Sequence, residues 1–474
     1  MIDLRLPGGI RILAWPLMAA AGLAAAGLLE GPAQAASRPE SVSPEEREIL
    51  RWVDRHAEEA VALLEQAVNI NSGTLNRPGV LEVGALFRAE LDELGFKTRW
   101  VEGEAFDRAG HLVAERGASG PRVLLIGHLD TVFEADSPFQ RFERLEGDRA
   151  RGPGVIDMKG GDVILLQALK ALGATGSLDR LAVTVVLTGD EENPGEPIDR
   201  SREALVHAAA GAQAALGFED GDGKPQSAVV ARRGSSSWVL RSTGKPAHSS
   251  QIFRKEIGAG AILEAARALD GFRERLAGEP YLTFSPGIVL GGTLAELEDS
   301  GIRGTAAGKN NVVAGQAVAT GDLRTLSPAQ LQKAKAAMAE IAARHLPQAS
   351  SEIDFKDSYS PLAPSEGNRR LLGLYDRTSR DLGFGPVTAT DPMEAGAADV
   401  SFVAGVVSMI LDGIGLKGRG GHTAEETADL KMLSVQTKRA AVLLHRLAGG
   451  AAGARRLAHV PGELGAGGDR KGAE

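Results

Sequence analysis

Short apolar segments alternate with longer helical ones in the first half of the chain. Three runs have the composition of buried strands: "HLVAER" (111–116), "RVLLIGH" (122–128) and "LAVTVVLT" (181–188). The segment "DVILLQALKALGA" (162–174), between the last two, is typical of a helix. Strands that alternate with helices predict an α/β fold with a largely parallel sheet.

Two further helices are predicted before the first of these strands. The segment "SVSPEEREILRWVDRHAEEAVALLEQAVNI" (41–70) predicts one amphipathic helix, with Ser43 as its N-cap and Pro44 in its first turn. The segment "PGVLEVGALFRAELDELGF" (78–96) predicts another, ended by Gly95. The folded region is therefore expected to begin near residue 40.

A different pattern begins near residue 233, and a chain of 474 residues is long enough for two domains. Predicted strands cover 235–244, 287–293, 316–326 and 351–357, and predicted helices cover 257–278 and 327–346. Two helices among four strands predict an α+β domain inserted into the first one, because the helical segment 368–384 resumes the earlier pattern. The predicted boundaries are 40–232 and 360–448 for the two parts of the main domain, 233–359 for the inserted domain, and 449–474 for a disordered Gly/Ala-rich tail.

The N-terminal residues 1–35 have the pattern of a signal peptide. Arg5 and Arg11 precede the apolar stretch Ile12–Leu29, and Ala33-Gln34-Ala35 offers a small-x-small cleavage site. A transmembrane anchor is the alternative, since 18 apolar residues approach the length that spans a bilayer. Alanine and glycine dominate the stretch and a cleavage motif follows it, which favours a removed signal. We therefore expect a bacterial periplasmic or secreted protein without a stable membrane anchor.

The composition excludes several classes of function. The net charge is −9, and no basic stripe with interleaved aromatic residues appears, so nucleic-acid binding is not expected. The chain contains no cysteine, which rules out disulfides, thiolate zinc sites and a cysteine nucleophile. Any bound metal must therefore be held by histidine, aspartate and glutamate side chains.

Such side chains follow one apolar segment after another. They are His128 and Asp130, Asp157, Asp190 to Glu192, Glu219 and Asp220, and, in a late glycine-rich loop, His422. A histidine and an aspartate two positions apart point to the same face of an extended strand. Each motif alone is ordinarily a buried core histidine or a solvated turn. Their recurrence at strand ends, where open α/β sheets collect their functional groups, favours one shared metal site.

Six motifs in this order resemble the di-zinc metallopeptidase family that includes bacterial glutamate carboxypeptidases, aminoacylases and succinyl-diaminopimelate desuccinylase. They are "HLDTV", "GPGVIDMKGG", "GDEE", "GFED", "GKPAH" and "GGHTAEE", spread over residues 122–428. The resemblance implies a zinc-exopeptidase-like catalytic domain with a mixed, largely parallel sheet flanked by helices. It also implies that the inserted α+β domain, two helices on a four-stranded sheet, serves as a lid or dimerisation domain.

The resemblance implies two Zn²⁺ ions per chain, with Co²⁺ or Mn²⁺ as substitutes. Asp157 would bridge the ions; His128 and Glu219 would complete one site, and Glu192 and His422 the other. Asp220 remains an alternative to Glu219. Asp130 would orient His128, and Glu191 would be the general base. Imidazole and carboxylate ligands of this kind suit zinc in the absence of thiolates.

The inserted domain would supply further groups. By the same resemblance, His248 would stabilise the developing oxyanion from the partner subunit of a homodimer, and Asn311 and Arg324 would bind substrate. A guanidinium such as that of Arg324 is suited to bidentate recognition of a carboxylate. Lys417 and Arg419, near His422, are a second expected contact for an anionic substrate.

The expected function is zinc-dependent hydrolysis of an amide bond next to a free carboxylate in a small peptide, by a glutamate-carboxypeptidase-like exopeptidase that uses a metal-bridging hydroxide. One alternative is an aminoacylase or desuccinylase acting on N-acyl amino acids, and another is a non-catalytic exported solute-binding protein. Two segments depart from the family pattern: "NPGEPIDRS" (193–201), and "EAGAADVS" (394–401), which contains Asp399. Both fall where substrate side chains are expected, so the substrate class stays open.

Overall fold

The computed structural model describes residues 42–298 and 301–449. The predicted signal peptide and, apart from Gly449, the predicted tail lie outside these residues, so both remain predictions. Within the described part of the chain, no helix is both long and apolar enough to span a membrane.

A six-stranded sheet, here called the main sheet, forms the centre of the fold. In spatial order its strands are Lys97–Glu102, Gly110–Arg116, Ala182–Thr188, Arg122–His128, Ala214–Gly217 and Ile410–Leu411. The first two pairs of neighbours are antiparallel and the remaining three are parallel. The predicted α/β class with a mixed, largely parallel sheet is therefore confirmed.

Both faces of the main sheet are buried. Leu125 belongs to the core on one face, whereas Leu124 and Ile126 belong to the core on the other. The larger core packs under the helices Pro44–Arg55, Ala57–Asn69, Arg77–Glu93, Lys159–Ala174, Glu366–Asp381 and Leu430–Ala448. The smaller core includes the helix Ile198–Ala208 and the 3₁₀ turn Asp399–Val403. Burial on both faces explains why these strands are continuous apolar runs without alternation.

The single helix predicted over 41–70 is wrong in one respect, since the chain forms two helices that meet at His56. The imidazole of His56 stacks on Trp52, and its Nδ1 lies 2.7 Å from the Trp52 carbonyl oxygen. The same Trp52 carbonyl accepts the backbone N–H of His56 at 3.1 Å, so His56 caps the C-terminal end of the first helix. The predicted cap is confirmed, because the Ser43 hydroxyl accepts the Glu46 N–H as part of a capping box.

The segment between Gly234 and Asp357 builds a second sheet, here called the inserted sheet. Its order is Thr283–Gly292, Gln316–Thr325, Gly234–Gly244 and Ala349–Asp357, with every pair antiparallel. The helices Ala261–Leu276 and Pro328–Ala342 contribute to its core, where Trp238 meets Phe272 edge to face. Two helices on four strands match the expected α+β arrangement. Its role as a lid or dimerisation surface stays a prediction.

A third, small antiparallel sheet positions two loops that matter below. Its strands are, in order, Gly418–Arg419, Thr427–Asp429, Arg149–Arg151 and Glu143–Leu145. It fixes the loop around His422 next to the turn that carries Asp157. The remaining short elements are the strand pairs Leu294–Leu297 with Gly304–Ala307 and Ser227–Ala228 with Thr388–Ala389, and the 3₁₀ turns Glu104–Phe106, Leu178–Arg180 and Ser249–Gln251.

Candidate metal centre

Neighbouring parallel strands of the main sheet deliver polar side chains to one edge. The strand Arg122–His128 ends on His128, which is 1% exposed. On one side of it the strand Ala182–Thr188 leads into Asp190, Glu191 and Glu192, and on the other Ala214–Gly217 leads into Glu219. These residues therefore meet because parallel strands end at the same edge.

The first candidate ligand group consists of His128, Asp157 and Glu219. His128 Nε2 lies 3.1 Å from Asp157 Oδ1 and 3.6 Å from Glu219 Oε1. The other ring nitrogen, Nδ1, lies 3.0 Å from the backbone carbonyl oxygen of Asp130, to which it can donate. That contact leaves the Nε2 lone pair free to bind an ion, since a hydrogen bond at one nitrogen selects the tautomer.

The second candidate ligand group consists of Asp157, Glu192 and His422. His422 Nε2 lies 2.9 Å from Asp157 Oδ2 and 3.2 Å from Glu192 Oε2. His422 is the most exposed of these residues, at 57%, and its backbone has a positive φ of 63°. A non-glycine residue in this conformation is uncommon and costs energy, and such residues cluster at functional sites.

Asp157 belongs to both groups and turns a different oxygen to each. Oδ1 faces His128 and Oδ2 faces His422, so one carboxylate joins two separate histidine–glutamate pairs. Within each group the candidate ligand atoms lie within 4.8 Å of one another. This is the arrangement expected of a carboxylate that bridges two ions.

The electrostatics of the cluster reflect several carboxylates in a largely buried space. Burial raises the pKa of Glu219 well above its ordinary value, with His128 opposing this effect, and burial likewise raises the pKa of Glu192. Hydrogen bonds to Asp157 and then Glu192 raise the pKa of His422 to about 11. Burial also disfavours ionised Asp157, but His128 and His422 outweigh it and hold the pKa of Asp157 below its ordinary value. The cluster as a whole thus stabilises added positive charge.

These residues fit divalent metal ions. Glu192 Oε1 is buried and has no hydrogen-bond partner. Burial of such a carboxylate oxygen is costly unless the oxygen binds a cation. Two imidazole nitrogens and three carboxylates are donors that zinc binds well, and cobalt or manganese can use the same set. A divalent cation in each group would compensate the excess of buried negative charge.

Asp130 does more than the sequence suggested. Its carboxylate lies 3.4 Å from His128 Nδ1, and its expected role in orienting His128 stays a prediction. The same carboxylate accepts the backbone N–H groups of Glu191 at 2.9 Å and Glu192 at 3.1 Å, and the hydroxyl of Thr74 at 2.6 Å. Asp130 therefore links the first strand end to the loop of the glutamate pair.

Glu191 and Asp220 lie beside the ligand groups without belonging to either one among the described residues. Burial raises the pKa of Glu191 well above its ordinary value, with His128 opposing this effect. Burial also raises the pKa of Asp220, to about 7. Of the two alternatives left by the sequence, Glu219 is the residue that lies in the ligand group of His128, at 3.6 Å from its Nε2 atom.

The residues predicted from the inserted domain lie outside the two ligand groups. His248 is exposed, with Nδ1 2.9 Å from Ser250 Oγ, and the Asn311 carbonyl accepts the Ser249 N–H, so these two predicted residues lie together. Arg324 is half-buried, and its Nε lies 3.0 and 2.9 Å from the two carboxylate oxygens of Asp322. None of the three belongs to a ligand group found among the described residues.

The expectation that Lys417 contacts an anionic substrate was wrong. Lys417 is 1% exposed, and its Nζ donates to the carbonyl oxygens of Asp220 and Gly413, so it is not available to an anionic substrate. Arg419, two positions on, is exposed as expected. A glycine-rich loop does not reveal which way its cations point, because burial depends on the turn around them.

Sequence reasoning missed Glu426. This buried carboxylate accepts the backbone N–H groups of Gly154 at 3.0 Å, Ile156 at 2.8 Å and Asp157 at 3.2 Å. It ties the loop of His422 to the turn of Asp157. The only signal in the sequence was its place at the end of the "GGHTAEE" motif.

Sequence reasoning also missed a buried ionic network next to the strand end that leads into the glutamate pair. The Arg202 guanidinium donates to Asp190 Oδ1 at 2.6 Å and to Asp399 Oδ1 at 2.7 Å, and Asp399 Oδ2 accepts the Thr188 hydroxyl at 2.6 Å. Arg202 directly follows one of the two unusual segments and Asp399 lies in the other. Asp399 itself is buried, and its contacts with Arg202 and Thr188 support the strand end that leads into Asp190. The expected position of the two unusual segments near the substrate stays a prediction.

A sequence profile described as peptidase family M20/M25/M40 matches residues 124–446, about two thirds of the chain. The protein belongs to this family. It is therefore a metallopeptidase, a hydrolase, and the alternative of a non-catalytic solute-binding protein is set aside. The matched residues run from the strand of His128 to the last helix and include all five candidate metal ligands.

Individual relatives agree with this assignment. The metallopeptidase is 25% identical over 401 residues to carboxypeptidase G2 of Pseudomonas sp. (strain RS-16), a match that covers 82% of this chain and 89% of that protein. It is 34% identical over 142 residues to a succinyl-diaminopimelate desuccinylase of Methylocella silvestris, covering 28% of this chain and 37% of that one.

The fold is also found in a solved structure, that of the Bacillus subtilis YXEP protein, described as a dinuclear metal binding peptidase from the M20 family. The likeness has a TM-score of 0.57 and 14% identity, and covers 83% of this metallopeptidase and 98% of that protein. At this level of identity the comparison demonstrates the shared fold alone.

Proposed function

We propose that this metallopeptidase uses two zinc ions to hydrolyse an amide bond next to a free carboxylate, as a carboxypeptidase-like exopeptidase. The observation that carries the proposal is the position of Asp157, whose two oxygens face two separate histidine–glutamate pairs. A single structural ion would need only one such group. Two groups that share a carboxylate are suited to a two-metal hydrolytic site.

In this proposal His128, Asp157 and Glu219 hold one ion, and Asp157, Glu192 and His422 hold the other. Bound divalent ions supply a Lewis acid for the amide carbonyl and make water a better nucleophile at neutral pH. The YXEP protein is described as a dinuclear metal binding peptidase of the M20 family, to which this chain also belongs, and we propose the same number of ions here.

Glu191 is the proposed general base. It lies next to the ligand Glu192, and Asp130 holds the backbone N–H groups of both glutamates. Its carboxylate would accept a proton from the attacking water and deliver it to the leaving amine nitrogen. Proton transfer by a positioned carboxylate of this kind typically contributes roughly 10²–10⁴-fold to the rate.

The substrate would be selected by the inserted sheet. Arg324 offers a guanidinium for a substrate carboxylate, with Asn311 and His248 as contacts for substrate oxygens. The match to carboxypeptidase G2 extends over most of this chain, whereas the match to the desuccinylase covers 28% of it. This difference favours a small peptide as substrate over an N-acyl amino acid, which remains the second candidate.

We also propose that the inserted sheet mediates a homodimer. The strand Thr283–Gly292 is an edge of that sheet, and Val289 on this strand is 56% exposed. Ile262, 48% exposed, lies beside Gly291 of the same strand. An apolar edge strand is suited to pair with its own copy across a two-fold axis. A monomeric mass in light scattering, together with full activity, would contradict this proposal and the role of His248 across subunits.

Export to a bacterial periplasm or to the medium is proposed from residues 1–35. N-terminal sequencing of the protein recovered from a bacterial host should find a chain that begins near residue 36. Recovery of the intact N-terminus in the membrane fraction would support an anchor instead.

A substrate panel tests the proposed activity. Dipeptides, C-terminal glutamate conjugates and N-acyl amino acids would be incubated with the protein as purified, after chelation, and after addition of zinc, cobalt or manganese. We expect cleavage next to a free carboxylate, loss of activity with chelator and recovery with metal. Preferred cleavage of N-acyl amino acids would favour the second candidate. Activity that survives complete metal removal would overturn the proposal.

A further inference from the structure

Tyr359 is a buried side chain that the proposed reaction does not yet use. It follows the strand Ala349–Asp357 of the inserted sheet. Its backbone carbonyl accepts the N–H of Ser235, which lies in the strand Gly234–Gly244 of the same sheet. Its hydroxyl extends from this junction toward the main sheet, where it lies 2.5 Å from the backbone carbonyl oxygen of Glu191. The junction of the two sheets thus contacts the residue proposed as the base.

The chemistry of the neighbouring arginine determines how the hydroxyl is used. Arg202 Nη2 lies 3.0 Å from the Tyr359 hydroxyl oxygen, and a guanidinium can only donate. The oxygen of Tyr359 therefore accepts from Arg202, and its proton is directed to the Glu191 carbonyl. Arg202 is itself held by Asp190 and Asp399, so the direction of this hydrogen-bond chain is fixed.

The backbone of Glu191 is bound from two directions. Asp130 accepts its N–H at 2.9 Å, and Tyr359 donates to its carbonyl at 2.5 Å. Neither contact involves the Glu191 carboxylate. Both hydrogen bonds act on the backbone and leave the side chain available for proton transfer.

We propose that Tyr359 is a positioning residue for Glu191, whose hydroxyl fixes the Glu191 backbone so that the carboxylate meets water and amide in a productive geometry. The inference rests on the proposed function, in which Glu191 is the base. Tyr359 touches no reacting atom and acts only through Glu191. Small displacements of a catalytic group, on the order of 1 Å, can cost about 10²-fold in rate.

Tyr359→Phe tests this role with little disturbance of the packing. The ring keeps its contact with Phe402, at a centroid distance of 5.2 Å, and Arg202 Nη2 keeps the Asp190 carbonyl at 3.1 Å. With the panel substrate that is cleaved fastest, we expect kcat to fall about 10–100-fold, which is the loss typical of residues that orient the ligands of metal sites. KM and the content of bound metal should remain unchanged.

Tyr375→Phe is the matched control. Tyr375 is also buried, and its hydroxyl lies 3.2 Å from Gln436 Oε1, away from the glutamate pair. It loses one buried hydroxyl without any contact to Glu191, so kcat should remain within about twofold of the parent enzyme. An equal loss of kcat in both variants would overturn the inference, as would loss of metal from Tyr359→Phe, since the hydroxyl would then act on a ligand.

A double-mutant cycle separates action through Glu191 from a general structural effect. In a Glu191→Gln background, Tyr359→Phe should cost less than about twofold, because the group that it positions is gone. The same loss in both backgrounds would overturn the inference. If Glu191→Gln is inactive and Tyr359→Phe matches its control, only the inference fails. If Glu191→Gln is fully active, the proposed base fails as well.

Discussion

The carboxyl edge of the main sheet and the surface of the inserted sheet use polar residues in opposite ways. At the main sheet, His128 is almost completely buried and faces the carboxylates of Asp157 and Glu219. On the inserted sheet Arg324 is half-buried, and in the loop after its strand Gly234–Gly244 His248 is exposed. The buried core of the inserted sheet is largely apolar, as the pair Trp238 and Phe272 illustrates.

This difference identifies where the chemistry must be compensated. Buried charges are costly unless they are paired or bind a metal, so the carboxylates clustered at the main sheet are suited to bind cations. Exposed polar residues carry no such cost and are free to meet a substrate. We therefore expect substitutions at the main sheet to abolish metal binding or catalysis, and substitutions on the inserted sheet to change substrate binding.

Replacing the shared carboxylate should have the largest effect. Asp157→Asn removes the charge that joins both ligand groups, so we expect loss of metal and a fall in activity of about a thousandfold or more, beyond the roughly 10–100-fold typical of outer partners. Elemental analysis and turnover assays would measure both. Asp354→Asn, on the exposed surface of the inserted sheet, is the matched control and should keep metal and activity. If the Asp157→Asn variant retained two ions, the expected difference between the main sheet and the inserted sheet would be contradicted.

Removing the proposed base should separate catalysis from metal binding. Glu191 belongs to neither ligand group, so Glu191→Gln should keep its metal while kcat falls by roughly 10²–10⁴-fold. Steady-state kinetics and metal analysis on the same preparation would measure this. Undiminished turnover would mean that another group takes the proton.

The inserted sheet should affect binding more than turnover. Arg324→Gln removes a charge-assisted contact, typically about 1.5–3 kcal/mol, so KM for a carboxylate-bearing substrate should rise roughly 10–100-fold with kcat less affected. Arg241→Gln is a suitable control, because Arg241 forms a comparable ion pair with Asp354 on the same sheet. Equal effects of the two variants would remove Arg324 from the substrate site.

The smallest effect concerns stability at high pH. Burial raises the pKa of Tyr375 to about 12, from about 10 in an unfolded chain. Between these values the folded state holds more protons than the unfolded state, so the stability contributed below pH 10 is lost as the pH rises toward 12. Tyr375→Phe should remove about 1 kcal/mol of this loss at pH 11, measured by chemical denaturation. A Tyr375→Phe variant that loses as much stability between pH 10 and pH 12 as the parent protein would contradict this prediction.

Local patterns in the sequence predicted much of the fold and of the site. Apolar runs bounded by turns located the strands Arg122–His128 and Ala182–Thr188 because both are buried on two faces. The cap at Ser43 was predictable because it involves only Ser43 and Glu46, which are three positions apart. The break at His56 was not, since it depends on how one imidazole stacks against Trp52. Arg202 carried no signal either, because its partner Asp399 lies 197 positions away.

By itself, the sequence determined the order of strands and helices, the absence of thiolate ligands and the set of imidazoles and carboxylates at strand ends, since these follow from composition and short-range pattern. Only the tertiary structure decided which oxygen of Asp157 faces which histidine, that Lys417 is buried, and that Tyr359 reaches Glu191. Such contacts join residues far apart in the chain, as Asp157 and His422 are by 265 positions, so packing of the whole domain selects them.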